Sequence, residues 1–290
     1  MASLGRRSIT APLALGAAAL ALGVLGAADA RPATPGLAFT DMSGSVAQVA
    51  RLSGAGRTRL TAGGLPGIQP SVENGGLLYA RVLRPGQAEI REGRLPITGS
   101  RALNISPTWG PNAEETAYRN ATNGKVYVTR PDGRQMTRVT PDGVTDADPA
   151  FSPDSRFLAV ARRGPADAAF GITVLEIGSD MEQLAVIFST RRVIENADSP
   201  SFSPDGARIA FARGGAIWTA LSGGGGERRL TAGLPNAFSA RDDNPSWSRD
   251  GHIYFERLTP GARGVVLRIP AGGGALERVV QAARDPDALP

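Results

Sequence analysis

The sequence predicts an all-β fold, a six-bladed β-propeller closed by pairing of its N- and C-terminal strands. Three observations carry that expectation: a recurring turn-and-strand phrase, a blade-sized spacing between its copies, and a half-copy at the C-terminus. The clearest copy is Asp198-Ser199-Pro200-Ser201-Phe202-Ser203-Pro204-Asp205-Gly206, continuing through residues 207–213. Proline is tolerated as the first residue of a strand, so Pro200 opens one. Ser203 to Gly206 is turn chemistry: Pro presets φ, Asp bonds its own backbone and Gly accepts positive φ. Ile209 and Phe211 then alternate along a second strand, which makes the phrase a β-hairpin.

The phrase recurs around Pro149 and Pro245, and more weakly around Pro70 and Pro107. Those five prolines are separated by 37, 42, 51 and 45 residues, the period of a propeller blade. The phrase resembles the WD-like repeat of the TolB family of periplasmic β-propellers, P-x-aromatic-S-P-D-G followed by an apolar strand. The resemblance covers nearly all of the chain after residue 30. It implies a non-enzymatic binding scaffold, since TolB proteins bind envelope partners of the Tol–Pal system. TolB proteins also carry an N-terminal α/β domain, and residues 31–36 leave no room for one. The expectation is a TolB-like propeller rather than TolB itself.

Taken in order, the chain begins with a secretory signal. Arg6 and Arg7 form a basic start, residues 11–27 are an uncharged Ala/Leu/Gly run, and Ala28-Asp29-Ala30 is a small-residue cleavage site. Residues 1–30 are therefore expected to be removed, leaving residues 31–290 as a periplasmic or secreted propeller without a stable membrane anchor. The arginine pair leaves Sec and Tat export both open. The chain has no cysteine, which removes disulfides, a lipid anchor and Cys-ligated metals together. The net charge of +5 falls to +4 once two arginines and one aspartate leave with the signal, and arginine is spread through all the repeats. A nucleic-acid reader would concentrate its basic residues in one stripe with aromatics, so nucleic acid is not an expected partner. The expected partner is an envelope protein or a small ligand, and the chain is expected to be a monomer.

Residues 37–40, 46–52 and 58–61 read as the second, third and fourth strands of a first blade that lacks its first strand. The same ending, a strand, a Gly or Pro-Asp-Gly turn and a strand such as Arg-Leu-Thr, recurs over 125–140, 216–231 and 265–280. Residues 285–290 supply the missing strand, because Pro286 and Pro290 match Pro149 and Pro153 in register. Closing the ring in this way removes exposed sheet edges. Two segments depart from the pattern. Residues 85–103 give poor third and fourth strands, interrupted by Pro96. Residues 163–197 exceed what a blade ending needs: a loop at 164–169, strands at 172–177 and 184–188, then Arg191 and Arg192. Their extra length is expected in surface loops, where insertions are tolerated.

Few motifs carry chemistry. Gly223 to Gly226 lacks the Lys-Ser/Thr and helix of a phosphate loop and sits where a hairpin turn is needed. His252 is the one histidine, and G-x-S-x-G and H-E-x-x-H are absent, so triad hydrolysis and histidine-bound zinc are not expected. The candidate site is a polar ring at the channel mouth. The residues before the opening prolines are Gln69, Ser106, Asp148, Ser199, Asn244 and Asp285, with Asp146, Asp198, Asp242 and Asp243 just behind them. Such a ring could offer oxygen ligands to a hard cation such as Ca2+. The ion-free alternative is pairing with Arg81, Arg119, Arg162, Arg213 and Arg257, which end the second strands beside it. Two functions follow: a binding scaffold without a cofactor, which is favoured, or a lactonase- or lyase-like enzyme using a carboxylate-bound metal there.

Overall fold

A computed structural model describes residues 36–53, 56–61, 64–179, 184–232 and 240–288. The expected signal at 1–30, and Leu289 and Pro290, lie outside the described residues. Within them the secondary structure is entirely strand, in six antiparallel sheets of four strands.

Blade one holds β1 (Leu37–Asp41), β2 (Gln48–Ser53) and β3 (Gly56–Arg59). Blade two is β4 (Gly67–Glu73), β5 (Gly76–Arg84), β6 (Gln87–Glu92) and β7 (Leu95–Pro96). Blade three is β8 (Asn104–Trp109), β9 (Thr116–Asn120), β10 (Lys125–Thr129) and β11 (Thr137–Arg138). Blade four is β12 (Thr145–Phe151), β13 (Phe157–Arg163), β14 (Gly171–Gly178) and β15 (Val186–Ile194). Blade five is β16 (Asp198–Phe202), β17 (Arg208–Arg213), β18 (Ala216–Leu221) and β19 (Arg228–Arg229). Blade six is β20 (Arg241–Trp247), β21 (His252–Leu258), β22 (Val265–Pro270) and β23 (Glu277–Gln281). The chain's last strand, β24 (Ala283–Ala288), returns to blade one as its innermost strand, with Ala288 opposite Leu37 and Ala283 opposite Asp41. The ring therefore closes on its own ends, as the proline register predicts.

Alternation along each strand places apolar side chains on both faces of a blade, and the core is the set of layers between neighbouring blades. Val126, Val128 and Val139 meet Phe151, Leu158 and Leu175 between blades three and four. Ile172 and Ile194 meet Phe202, Ile209 and Phe211 between blades four and five. Leu37 and Phe39 meet Tyr254, Val266 and Val280 at the closing seam. Each large side chain buried there contributes about 1.5–3 kcal/mol. The seam between blades one and two is thin by comparison: Ala38 and Val72, with Leu77 beside them.

The recurring threonine at the end of a blade has a physical reason. The Oγ1 atoms of Thr61, Thr98, Thr140 and Thr231 accept from the backbone N–H of Val49, Ile90, Val126 and Ile217 at 2.8–2.9 Å. A hydroxyl thus continues the ladder where the outer strand stops. The outer strands of blades two, three and five are two residues long. Pro96 is accommodated on one of them, opposite Arg91, as an edge strand allows. In the long segment 163–197 the loop at 164–169 and the strand at 172–177 are as expected, but the extra length is not. Its extra length forms strand rather than loop, with β14 of eight and β15 of nine residues paired from Ile172–Ile194 to Gly178–Val186. Arg191 and Arg192 lie inside β15, and Leu184 precedes it.

Candidate functional site

The six residues before the opening prolines share one conformation. Gln69, Ser106, Asp148, Ser199, Asn244 and Asp285 all have positive φ, between 46° and 52°. This left-handed region is uncommon for residues other than glycine, although Asn and Asp tolerate it better than most. Each residue sits at a β-bulge where the register with its partner strand skips, as between Ile68 and Ser71 or Ala147 and Ala150. A bulge re-aims the side chain. Here it turns all six toward one central channel of about 170 Å³.

The six then bond to one another around the ring. Ser106 N–H donates to Gln69 Oε1 at 2.9 Å, and Ser106 Oγ donates to Asp148 Oδ1 at 3.4 Å. The Asp148 carboxylate accepts the Ser199 N–H. Ser199 Oγ donates to Asn244 Oδ1 at 3.1 Å, and Asn244 Nδ2 donates to Asp285 Oδ1 at 3.2 Å. Thr40 closes the circuit: its Oγ1 donates to Asp285 Oδ2 at 2.8 Å and accepts the Gln69 N–H at 2.9 Å. A second layer lies two residues further along. Ser71, Ser201, Ser246 and Asp287 accept the N–H groups of Trp109, Trp247, Ala288 and Val72 at 2.7–3.1 Å. The two seams of blade four lack this layer. Thr108 turns to the carbonyl of Trp109, and Ala150 has no polar atom to offer.

The carboxylates behind the ring divide into two kinds. Asp146 and Asp242 are buried and face away from the channel into their own hairpins. Arg162 grips Asp146 with two bonds of 2.8 and 2.7 Å, and Arg257 grips Asp242 with two of 2.6 and 2.8 Å. The other arginines of the expected pairing behave differently. Arg213 binds Glu227, and Arg119 acts on Asp148 through its charge. Among the described residues Arg81 forms no ion pair. Asp198 and Asp243 stay near the channel. Asp243 accepts from Ser199 Oγ at 3.3 Å and from Asn244 N–H at 3.0 Å.

Burial dominates the electrostatics here, because the charged form of a carboxylate loses its hydration. It pushes Asp198 up to about 7, with the neighbouring Asp243 and Asp148 charges adding to the rise. It pushes Asp287 up to about 7, with Glu73 adding to the rise. Asp148 also rises by burial; Arg119 opposes the rise and Asp243 reinforces it. Glu256, on β21, rises by burial and by its proximity to Asp285. It accepts Asn244 Nδ2 at 2.9 Å and the Asp285 N–H at 3.1 Å.

Glu256, Asp287 and Thr40 join the site without having been singled out in the sequence. The signal for two of them was present. Glu256 precedes Arg257 where the other copies carry Ala80, Tyr118, Ala161 and Ala212. Asp287 occupies the place of Ser71, Thr108, Ala150, Ser201 and Ser246. An acid at a repeat position otherwise small or uncharged marks a local role. Among the described residues no group of three or more His, Asp or Glu side chains is placed to hold a metal ion. The carboxylate oxygens of Asp285 are already occupied by Asn244 and Thr40. As arranged, the ring holds blades in register.

No family model and no curated protein matches this chain. Solved structures do. TolB from Acinetobacter baumannii superposes with a TM-score of 0.66 at 17% identity, over 87% of this chain and 66% of its own, so this chain spans just under two thirds of that protein. A provisional TolB of Agrobacterium tumefaciens gives 0.64 at 15% identity, covering 88% of this chain and 93% of that one. A chain of a nidogen–laminin complex gives 0.62 at 9% identity, covering 87% and 97%. An oligogalacturonate lyase in complex with manganese gives 0.51 at 11% identity, covering 72% and 68%. The chain is a six-bladed β-propeller with the fold of the TolB propellers. No described helix is long and apolar enough to cross a membrane.

Proposed function

We propose that this protein is an exported, non-enzymatic propeller scaffold that binds a protein or small ligand of the cell envelope and works without a resident cofactor. One observation carries the reading. The polar residues that converge on the channel are bonded to one another in a closed circuit, so the ring serves the scaffold and leaves recognition to the outer surfaces. The TolB fold and the nidogen–laminin neighbour support a protein partner by analogy of fold. The Ala28-Asp29-Ala30 signal supports export. The competing reading is a lyase-like enzyme with a metal at the ring, kept in view by the manganese-bound lyase neighbour.

The test is one preparation with three readouts. Full-length chain carrying a C-terminal tag is expressed in its host, cross-linked in cells and purified from the envelope fraction. The expected result is a chain beginning at Arg31, a reproducible cross-linked envelope partner, and calcium and manganese well below one per chain. Stoichiometric metal together with release of unsaturated products from oligogalacturonate overturns the scaffold reading. Retention of Met1 in a membrane fraction overturns export. Cross-links confined to the chain itself overturn partner binding.

A further inference from the structure

A second concave surface lies away from the ring. It is a cleft of about 600 Å³ between blades four and five. Its floor is apolar: Phe157, Val174 and Val193 of blade four face Phe202 of blade five. That volume and lining are those of a recognition pocket. The outer wall is β15, and β15 is unlike the other outer strands. It has nine residues, against two to five elsewhere. It ends its sheet, so one side of its backbone has no strand partner. Between its two bulges, Ser189 to Arg192 pair without interruption with Glu176 to Thr173, which leaves a regular stretch of free edge. Ile187 and Phe188, at the start of the same strand, are 38% and 67% exposed.

The charges around the cleft are unequal in how they are met. Asp154 and Glu176 have Arg156 beside them, and Asp205 has Arg208. Asp154 and Asp205 also accept hydroxyl and backbone donors from their own turns. Arg191 has neither ion pair nor hydrogen bond among the described residues. Its guanidinium reaches toward Gly223 of blade five, which has no side chain to meet it. Asp154, Glu176 and Asp205 thus share Arg156 and Arg208, and among the described residues Arg191 is the one charge of the cleft with no opposite charge beside it.

We propose that the β15 edge and this cleft form a docking site for an extended peptide segment of a partner protein. The segment would add to β15 through its main chain, place an apolar side chain on the Phe157–Phe202 floor and set an acidic side chain against Arg191. In strand addition, main-chain hydrogen bonds supply affinity and pockets for alternate side chains supply specificity. An edge this long is otherwise a liability, which proteins shorten, cover or charge. The proposal goes beyond the scaffold reading by naming the surface and the form of the partner. It is independent of the ring.

The test uses the chain from residue 31 to 290 and a random twelve-residue peptide library displayed on phage. Two variants leave the core untouched. Arg191→Glu reverses the exposed, unpartnered charge, and Ala207→Trp fills the cleft from an exposed turn position. Both should melt within about 2 °C of the parent, as surface changes do. Expected is enrichment of segments that alternate apolar and polar residues and carry Asp or Glu. Their synthetic forms, followed by fluorescence anisotropy, should bind each variant at least tenfold more weakly. Enrichment no better on the parent than on the Ala207→Trp protein sinks the proposal. So do enriched peptides that bind parent and Arg191→Glu alike. A parent dimer in sedimentation, dispersed by Arg191→Glu, would assign the edge to a second copy instead.

Discussion

The inner wall and the outer wall of this propeller treat their polar groups in opposite ways. Along the channel, six left-handed residues give side chains and N–H groups to one another, and the circuit closes through Thr40. Along β15, a row of backbone groups and one guanidinium face outward unmet. The difference teaches that convergence of acids is by itself a poor guide to function. A ring of six copies must place equivalent residues together, and mutual hydrogen bonding is the simplest way to satisfy them. The outer wall is where the repeats cease to be equivalent. Blade four departs from its siblings there, and it is also the blade held at both seams without the second layer of hydrogen bonds. Broad apolar layers, with Phe151 and Leu175 on one side and Ile194 and Phe211 on the other, hold it instead. The thin seam between blades one and two shows the reverse balance, with Thr40 and Asp287 bonding across it.

The largest effect expected on the inner wall comes from removing its last strand segment. A chain ending at Arg284 loses Asp285 and Asp287, the closing layer of hydrogen bonds and the pairing of Ala288 with Leu37. It should melt at least 10 °C below the parent, or fail to unfold cooperatively. Equal melting temperatures would show that the ring does not depend on its ends. Next come the buried ion pairs. Arg257→Ala leaves the 2% exposed Asp242 without its partner and should cost about 3–5 kcal/mol in denaturant unfolding. A loss below about 1 kcal/mol would mean that the pair is solvated in solution.

A smaller, signed effect concerns pH. Asp198 and Asp287 have folded-state values near 7, above their ordinary 3.8. Between those values the folded chain binds more protons than the unfolded one, so stability falls as pH rises from about 4 to about 7. The depressed carboxyls of Asp154 and Asp205 act the other way, but only near and below pH 4. Asp287→Asn keeps an acceptor for the Val72 N–H and removes the charge. It should therefore raise the melting temperature at pH 8, by less at pH 5, and leave it nearly unchanged only at pH 3, below both the unfolded and the folded values. A rise of equal size at pH 8 and pH 3 would contradict burial of the charge as the cause.

Much of the fold was legible because it is written six times. Pro70, Pro107, Pro149, Pro200, Pro245 and Pro286 mark every inner strand, and the match of Pro286 to Pro149 locates the closing one. The site was legible only in part. The residue before each proline was found, but its left-handed backbone was not, because residues preceding proline ordinarily favour extended conformations. Asp146 and Asp242 were grouped with the ring although the bulges at Asp148 and Asn244, two residues on, break the alternation that would keep them on the same side. Within 163–197 the loop at 164–169 and the strand at 172–177 were read, but the second strand was stopped at 188 and the extra length assigned to loops, because the bulges that break its alternation hide the continuation to Ile194.

Native-state hydrogen exchange, followed residue by residue, compares the two walls in one measurement. The amides of Gln69, Ser106, Ser199, Val72 and Trp109 donate to side chains of the neighbouring blade, so they open only when blades separate. They should exchange as slowly as the slowest core amides, such as Phe255 and Ile209, near the limit set by global unfolding. Of the β15 amides from Ser189 to Arg192, those not paired with β14 should exchange orders of magnitude faster. Channel amides that exchange as fast as those edge amides, or β15 amides uniformly protected, would contradict an inner wall that is closed and an outer wall that is open.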